Sequence, residues 1–118
     1  MFYGCSNLTE LDLSGWDTSK VFDSYMMFFN CGELVTLDLS NFDVSQVSLI
    51  TQVFAKCSKL ETIYANDWTT TATKVFLAQD LFWQCSSLKG AVEFNPAQLG
   101  LSMANPTNGY FSVKAITE

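Results

Sequence analysis

Two hydrophobic rhythms alternate along this chain. The first is Leu-x-x-Leu-x-Leu: Leu8, Leu11 and Leu13, then Leu34, Leu37 and Leu39, then in altered form Leu60, Ile63 and Ala65, and last Leu88, Ala91 and Glu93. Apolar residues two apart, with polar ones between them, predict a short strand with one buried face. The second rhythm steps by three and four: Val47, Ile50, Phe54 and Cys57, repeated by Val75, Ala78, Phe82 and Cys85. Val21, Phe28 and Cys31 follow it too, with Ser24 as a polar lapse. That spacing predicts one face of a helix of about two to three turns.

Cys5, Cys31, Cys57 and Cys85 mark the interval, in steps of 26, 26 and 28 residues. A self-similar period of this length signals a solenoid, in which one unit cannot bury its own apolar face and stacked neighbours build the core. The predicted fold is an α/β repeat, a right-handed leucine-rich-repeat solenoid of about four coils, with parallel strands on one face and short helices on the other. The coils are residues 1–26, 27–52, 53–80 and 81–93, followed by an irregular C-terminal cap over 94–118. Stacked in register, Leu11, Leu37 and Ile63 should be nearest neighbours on strands about 4.8 Å apart.

Trp16, Phe42 and Trp68 share one repeat position, predicting an aromatic stack at the corner after each strand. Asp17 and Asp43 suit a turn whose side-chain oxygens accept backbone N–H groups, and Ser19 and Ser45 suit N-caps of the following helices. The two extra residues of the third interval fall within Asp67–Lys74, predicting a bulged loop there. After Leu88 the rhythm fails and both prolines appear, Pro96 and Pro106. A terminal repeat must shield an open core end, so Leu99, Leu101, Tyr110 and Phe111 are expected to cover the last coil, and residues 112–118 to finish as a strand.

Composition narrows the function. Twelve acidic residues against six lysines give a net charge of −6, with no arginine, which argues against nucleic acid and against a basic membrane-surface patch. There is no histidine, so no Ser-His-Asp, Cys-His or His-metal site can be assembled within these 118 residues. No catalytic residue, cofactor site or metal site is expected. The cysteines lack Cys-x-x-Cys spacing and sit at apolar positions, which reads as buried free thiols filling the core. Stacking would bring their Cα atoms to roughly 5 Å, within disulfide range, but with parallel Cβ vectors that suit a bridge poorly. No run of about eighteen apolar residues is present, and no basic region followed by an apolar stretch opens the chain. Met1 falls in the middle of a repeat, predicting a piece of a longer array.

The units Met1–Val21 and Met27–Val47, with the pattern Met-Phe-x-x-Cys-Ser-x-Leu-x-x-Leu-Asp-Leu-Ser, resemble the BspA-like leucine-rich-repeat surface proteins of bacteria. Residues 53–63 and 81–91 match more loosely, and Tyr64, Ala65 and Asn66 depart from Asp-Leu-Ser. The closing Asn105-Pro-Thr-Asn-Gly-Tyr-Phe111 is similar to the tails of such arrays. The resemblance implies a secreted or cell-surface, non-enzymatic protein-recognition or adhesion module, with a protein or glycan ligand that includes host matrix. The alternative is a structural spacer that presents another domain.

Two surfaces are candidates for contact. Outward strand positions would carry Glu10, Asp12, Thr36, Asp38, Thr62, Tyr64 and Phe94, either as a solvated acidic ladder or as a binding face with Tyr64 as aromatic anchor. Asp12 and Asp38 side by side would repel, and two carboxylates make a weak calcium site. A second apolar stripe of Phe22, Met26 and Phe29 aligns with Tyr3, Phe76 and Trp83, which points either to an oligomer contact, a homodimer through the helical side, or to a stripe covered by packing between helices or by a neighbouring segment.

Overall fold

The computed structural model describes residues 9–12, 27–40, 42–72, 74–75 and 80–112. Four short strands, β1 (Glu10–Asp12), β2 (Thr36–Asp38), β3 (Thr62–Tyr64) and β4 (Phe111–Ser112), form one parallel sheet in the order β1-β2-β3-β4. Leu11 pairs with Leu37, Leu37 with Ile63, and Ile63 with Phe111. The leucine rhythm therefore does place equivalent residues on adjacent strands, shifted by one repeat. The alternation works as the pleat requires: Leu37, Leu39, Ile63 and Ala65 are buried, while Thr36, Thr62 and Tyr64 are only half-buried.

Within the described residues, the stretches with helical spacing are not helices. Among the described residues the α-helix is α1, Trp68–Thr71, beside a 3-10 turn at Leu101–Met103. Residues 44–60 instead run as linked turns, with the N–H of Val47 donating to the Val44 carbonyl, Val53 to Ile50, Cys57 to Phe54 and Leu60 to Cys57. A chain of i to i+3 turns directs every third side chain inward, which a three-and-four pattern cannot distinguish from a helix face. Left-handed backbone decides against the helix: Asn30, Lys56 and Gln84 have φ of 61, 64 and 61°, and Gln52 and Asp80 have 58 and 55°. Asn30, Lys56 and Gln84 each stand third in a turn closed by the following cysteine, where a type II turn demands positive φ. Ser45 is consequently no helix cap; its N–H bonds Asp43 Oδ1 at 2.9 Å, the turn role expected of that aspartate. The helical segment around Val21 lies outside the described residues.

These turns form a second ladder between repeats. Phe28 N–H donates to the Val53 carbonyl, Asn30 to Ala55, Phe54 to Leu81, Lys56 to Trp83 and Phe82 to Leu99. Backbone groups that a helix would satisfy internally are thus satisfied by the next repeat. Inside this ladder, Phe28, Phe54 and Phe82 stack in a fully buried column, with centroids 5.9 and 5.5 Å apart. At the corner Phe42 stacks on Trp68 at 6.0 Å, as expected, and Phe111 meets Trp68 edge-on at 5.0 Å; Trp16 lies outside the described residues. Trp68 Nε1 is buried with no hydrogen-bond partner among the described residues.

Cys31, Cys57 and Cys85 are buried and form no disulfide; Cys5 lies outside the described residues. Cys57 Sγ donates to the Phe28 carbonyl at 3.0 Å and Cys85 Sγ to the Phe54 carbonyl at 2.8 Å, so each thiol reaches back one repeat. Hydrogen bonding with Cys31 and burial push the Cys57 thiol pKa far upward, and burial pushes Cys85 up to about 12.

The last repeat departs from expectation. Where a bulged loop was expected at Asp67–Lys74, the added residues make α1, capped by Asp67, whose Oδ1 accepts the Thr69 N–H. Leu88, Ala91 and Glu93 do not supply a parallel strand. The ladder continues only to Lys89, whose N–H donates to the Glu61 carbonyl at 2.8 Å; the chain then reverses, with Lys89 bridged antiparallel to Glu93. Ala91 is too small to fill the inward place held by Leu37 and Ile63. Phe111 returns from the cap and fills it, fully buried. Close packing of Gly90 against Tyr110 makes the exchange tight: a Cβ at Gly90 would lie 2.3 Å from the Tyr110 carbonyl. The cap thus contributes β4, which begins at Phe111; residues 113–118, included in the expected final strand, lie outside the described residues.

Candidate functional site

Two surfaces carry the expected contact residues, and they differ in how they are built. On the sheet, Glu10 is exposed, Thr36 and Thr62 are half-buried, and Tyr64 is half-buried with Asp38 and Ser112 as its register neighbours. Asp38 departs from the expected solvated ladder. Its residue is 5% exposed, and its Oδ1 accepts the Ser40 N–H at 3.0 Å. A carboxylate committed to its own turn is a positioned acceptor and not a free surface charge. Asp12 stands beside Asp38 in register, as expected, though its side chain lies outside what the structure describes. Phe94 is not on this face at all. It opens the cap, half-buried, with its ring 5.6 Å from that of Tyr110.

On the turn side, Phe29 and Trp83 are half-buried, and Lys56 lies between them, its Nζ 5.7 Å from the Phe29 centroid and 5.5 Å from that of Trp83. The intervening repeat places Ala55 at the column position, and the lysine covers the gap with a cation–π contact on both sides. Phe22, Met26, Tyr3 and Phe76 of the expected oligomer stripe lie outside the described residues.

Next to this column is a cleft of about 510 Å³ between the last turns and the cap. Trp83, Phe94, Pro96 and Leu99 line it, with Ser58, Gln84 and Ser86 at its polar edge. Tyr110 sets the far wall: its hydroxyl accepts the Asn95 N–H at 3.0 Å and lies 2.8 Å from the Gln98 carbonyl. Asn105 holds the loop beyond, its Oδ1 accepting the N–H groups of Thr107 and Asn108 and its Nδ2 donating to the Ser102 carbonyl. Sequence patterning singled out Trp83 and Phe94 separately but not the cleft. Ser58 and Ser86 share the repeat position after the cysteine, but Pro96 and Leu99 come from the cap, and no period brings the two sets together.

Residues 1–106 match the family described as Mycoplasma protein of unknown function, DUF285. The chain belongs to the DUF285 family. The match covers most of the 118 residues, including both surfaces except Tyr110–Ser112. No curated protein and no solved structure matches the chain. Among the described residues no group of three or more His, Cys, Asp or Glu is placed to hold a metal ion. No helix among them is long and apolar enough to cross a membrane.

Proposed function

We propose that this chain is a non-enzymatic protein-recognition or adhesion module, built as a right-handed leucine-rich-repeat solenoid of about four coils and binding through its strand face. The observation that carries the reading is Tyr64. It is half-buried on β3, set between Asp38 and Ser112 on the neighbouring strands, two residues along from the Thr36–Thr62 pair. An amphipathic ring fixed among short polar side chains is the kind of anchor that dominates interface energy. The shift of one repeat between Leu11, Leu37 and Ile63 supports the solenoid. Placement at the cell surface or outside the cell follows from the resemblance to BspA-like proteins.

Capture by immobilised extracellular-matrix proteins, compared between the chain and its Tyr64→Ala and Asp38→Ala variants, tests the reading. Capture should fall at least about tenfold for Tyr64→Ala, the loss of one anchor of about 1.4 kcal/mol or more. Equal, undetectable capture by all three proteins would favour a structural spacer. The matching threonines Thr36 and Thr62 favour that second reading, since a spacer needs only short polar side chains on its strands. A homodimer through the Phe29–Trp83 column would require Lys56 to leave its two rings; sedimentation showing a strict monomer at high concentration removes it.

A further inference from the structure

We infer that the cleft between the last turns and the cap is a second binding site, distinct from the strand face, and that it takes a neutral sugar, as part of an oligosaccharide. Three observations converge on that class. First, the cleft has the size of ligand sites, about 510 Å³ against the usual ~300–1,000 Å³. Second, its lining among the described residues is uncharged: aromatic and aliphatic walls from Trp83, Phe94, Pro96 and Leu99, with a polar edge from Ser58, Gln84 and Ser86. On a chain of net charge −6 an anion would be repelled at long range, and no lining carboxylate is present to hold a cation. Lys56 is engaged between the rings of Phe29 and Trp83 and is not part of the lining.

Third, the polar edge is available. Ser58 and Gln84 and Ser86 are exposed, and none of their side chains is hydrogen-bonded among the described residues. Serine hydroxyls and a glutamine amide each donate and accept. A sugar hydroxyl does the same, so each pairing satisfies both partners, and the apolar C–H face of the ring packs on an aromatic wall. A proline-rich peptide would also use aromatic walls, but along its prolines it offers only carbonyl acceptors, leaving half of this edge's capacity unused. The walls are held in place before any ligand arrives. Trp83 is gripped by Lys56, Phe94 by Tyr110, and the Asn95–Gln98 loop by the Tyr110 hydroxyl. Such preorganisation lowers the ordering cost of binding.

Saturation-transfer NMR of the full chain with maltotetraose, cellotetraose and chitotetraose tests the inference, with a decaproline peptide alongside. At least one tetrasaccharide should bind saturably, with a Kd on the order of 0.1–1 mM. Trp83→Ala should weaken that binding about tenfold or more, the loss of a buried aromatic contact. Ser86→Trp, which fills the cleft from its exposed edge, should abolish it while leaving the circular dichroism unchanged. Should Trp83→Ala unfold, Ser86→Trp decides. Tyr64→Ala should bind the sugar unchanged, which separates this site from the strand face: loss of matrix capture with retained sugar binding fails neither reading. The inference is overturned if no tetrasaccharide binds at about 10 mM, well above a ~1 mM weak limit. It is also overturned if Ser86→Trp binds as the parent does, or if only decaproline binds.

Discussion

Replacing Gln84 by glycine should leave the chain more stable than replacing it by alanine, the reverse of what a helix would do. Gln84 is exposed, has φ of 61°, and stands third in the turn closed by the Cys85 N–H on the Phe82 carbonyl. Either substitution removes the same side chain, which has no hydrogen bond among the described residues, so the backbone term is isolated. Left-handed backbone costs a residue with a Cβ roughly 1–2 kcal/mol, from which glycine is exempt. Glycine loses about 0.5–1 kcal/mol more than alanine in conformational entropy on folding. The difference favours Gln84→Gly over Gln84→Ala by roughly 0–1.5 kcal/mol. In a helix interior the same comparison would favour alanine by about 1 kcal/mol. With a urea slope of about 1–3 kcal/mol/M, a difference of 1 kcal/mol moves the midpoint by roughly 0.5 M, well within measurement. Urea melts of both variants, with Gln52→Gly and Gln52→Ala as an independent pair at φ of 58°, give the sign twice. A glycine variant that melts below its alanine counterpart at both positions would refute the linked-turn architecture.

Phe54→Ala should cost about 3–5 kcal/mol, a large share of the ~5–15 kcal/mol of an ordinary domain, because the ring is fully buried and meets Phe28, Phe82, Trp68 and Phe111; chemical denaturation reads it directly. Gly109→Ala would set a Cβ 2.2 Å from the Met103 carbonyl oxygen, so the cap must open at a cost of about 1–3 kcal/mol or more, seen as faster proteolysis after residue 89. Tyr110→Phe should cost about 0.5–1.5 kcal/mol, because the part-buried contacts of the hydroxyl with the Asn95 N–H and the Gln98 carbonyl are lost, and should weaken any ligand in the cleft without changing the strand face. The thiols set an alkaline limit. Cys57 and Cys85 stay neutral in the fold well above the ordinary 9.0, while the unfolded chain ionises there and binds fewer protons. Their contribution is complete below about pH 9 and falls as pH rises toward 12, so the urea midpoint should drop between about pH 9 and 11, and alkylation near pH 8 should need denaturant.

Much of the fold was legible because periodicity and register are the same information in a stacked array. Leu11, Leu37 and Ile63 had to align if the cysteines kept time, and they do. The corner pair Phe42 and Trp68 and the inward thiols were readable for the same reason. The error at Val47, Ile50, Phe54 and Cys57 has a definite source. Spacing reports which side chains face inward and not the φ of the residues between them. The residues that reject a helix are Asn30, Lys56 and Gln84, of which only asparagine tolerates left-handed backbone readily. In the first unit the same position is Gly4, the one textual sign of a turn.

The cap was visible as a break in rhythm but not as a strand donor, and this difference shapes the candidate sites. Repeats stack on neighbours one period away, so their contacts can be read from the period alone. Phe111 instead reaches Ile63 across a segment without rhythm and fills a place that Ala91 leaves under-packed. Displaced by that return, Ala91, Val92 and Glu93 are exposed, and Phe94 moves from the strand face to the cleft. Tyr110, next to the inserted Phe111, then fastens the Asn95–Gln98 loop across from Trp83. The same exchange therefore closes the open end of the core and builds a concave, uncharged surface beside it. Thr36, Thr62 and Tyr64 owe their placement to repetition, whereas the cleft owes its walls to the one point where repetition stops. A family member that kept the repeats but filled the fourth strand with a large residue at position 91 would have no need of Phe111 there, and would lose the cleft with it.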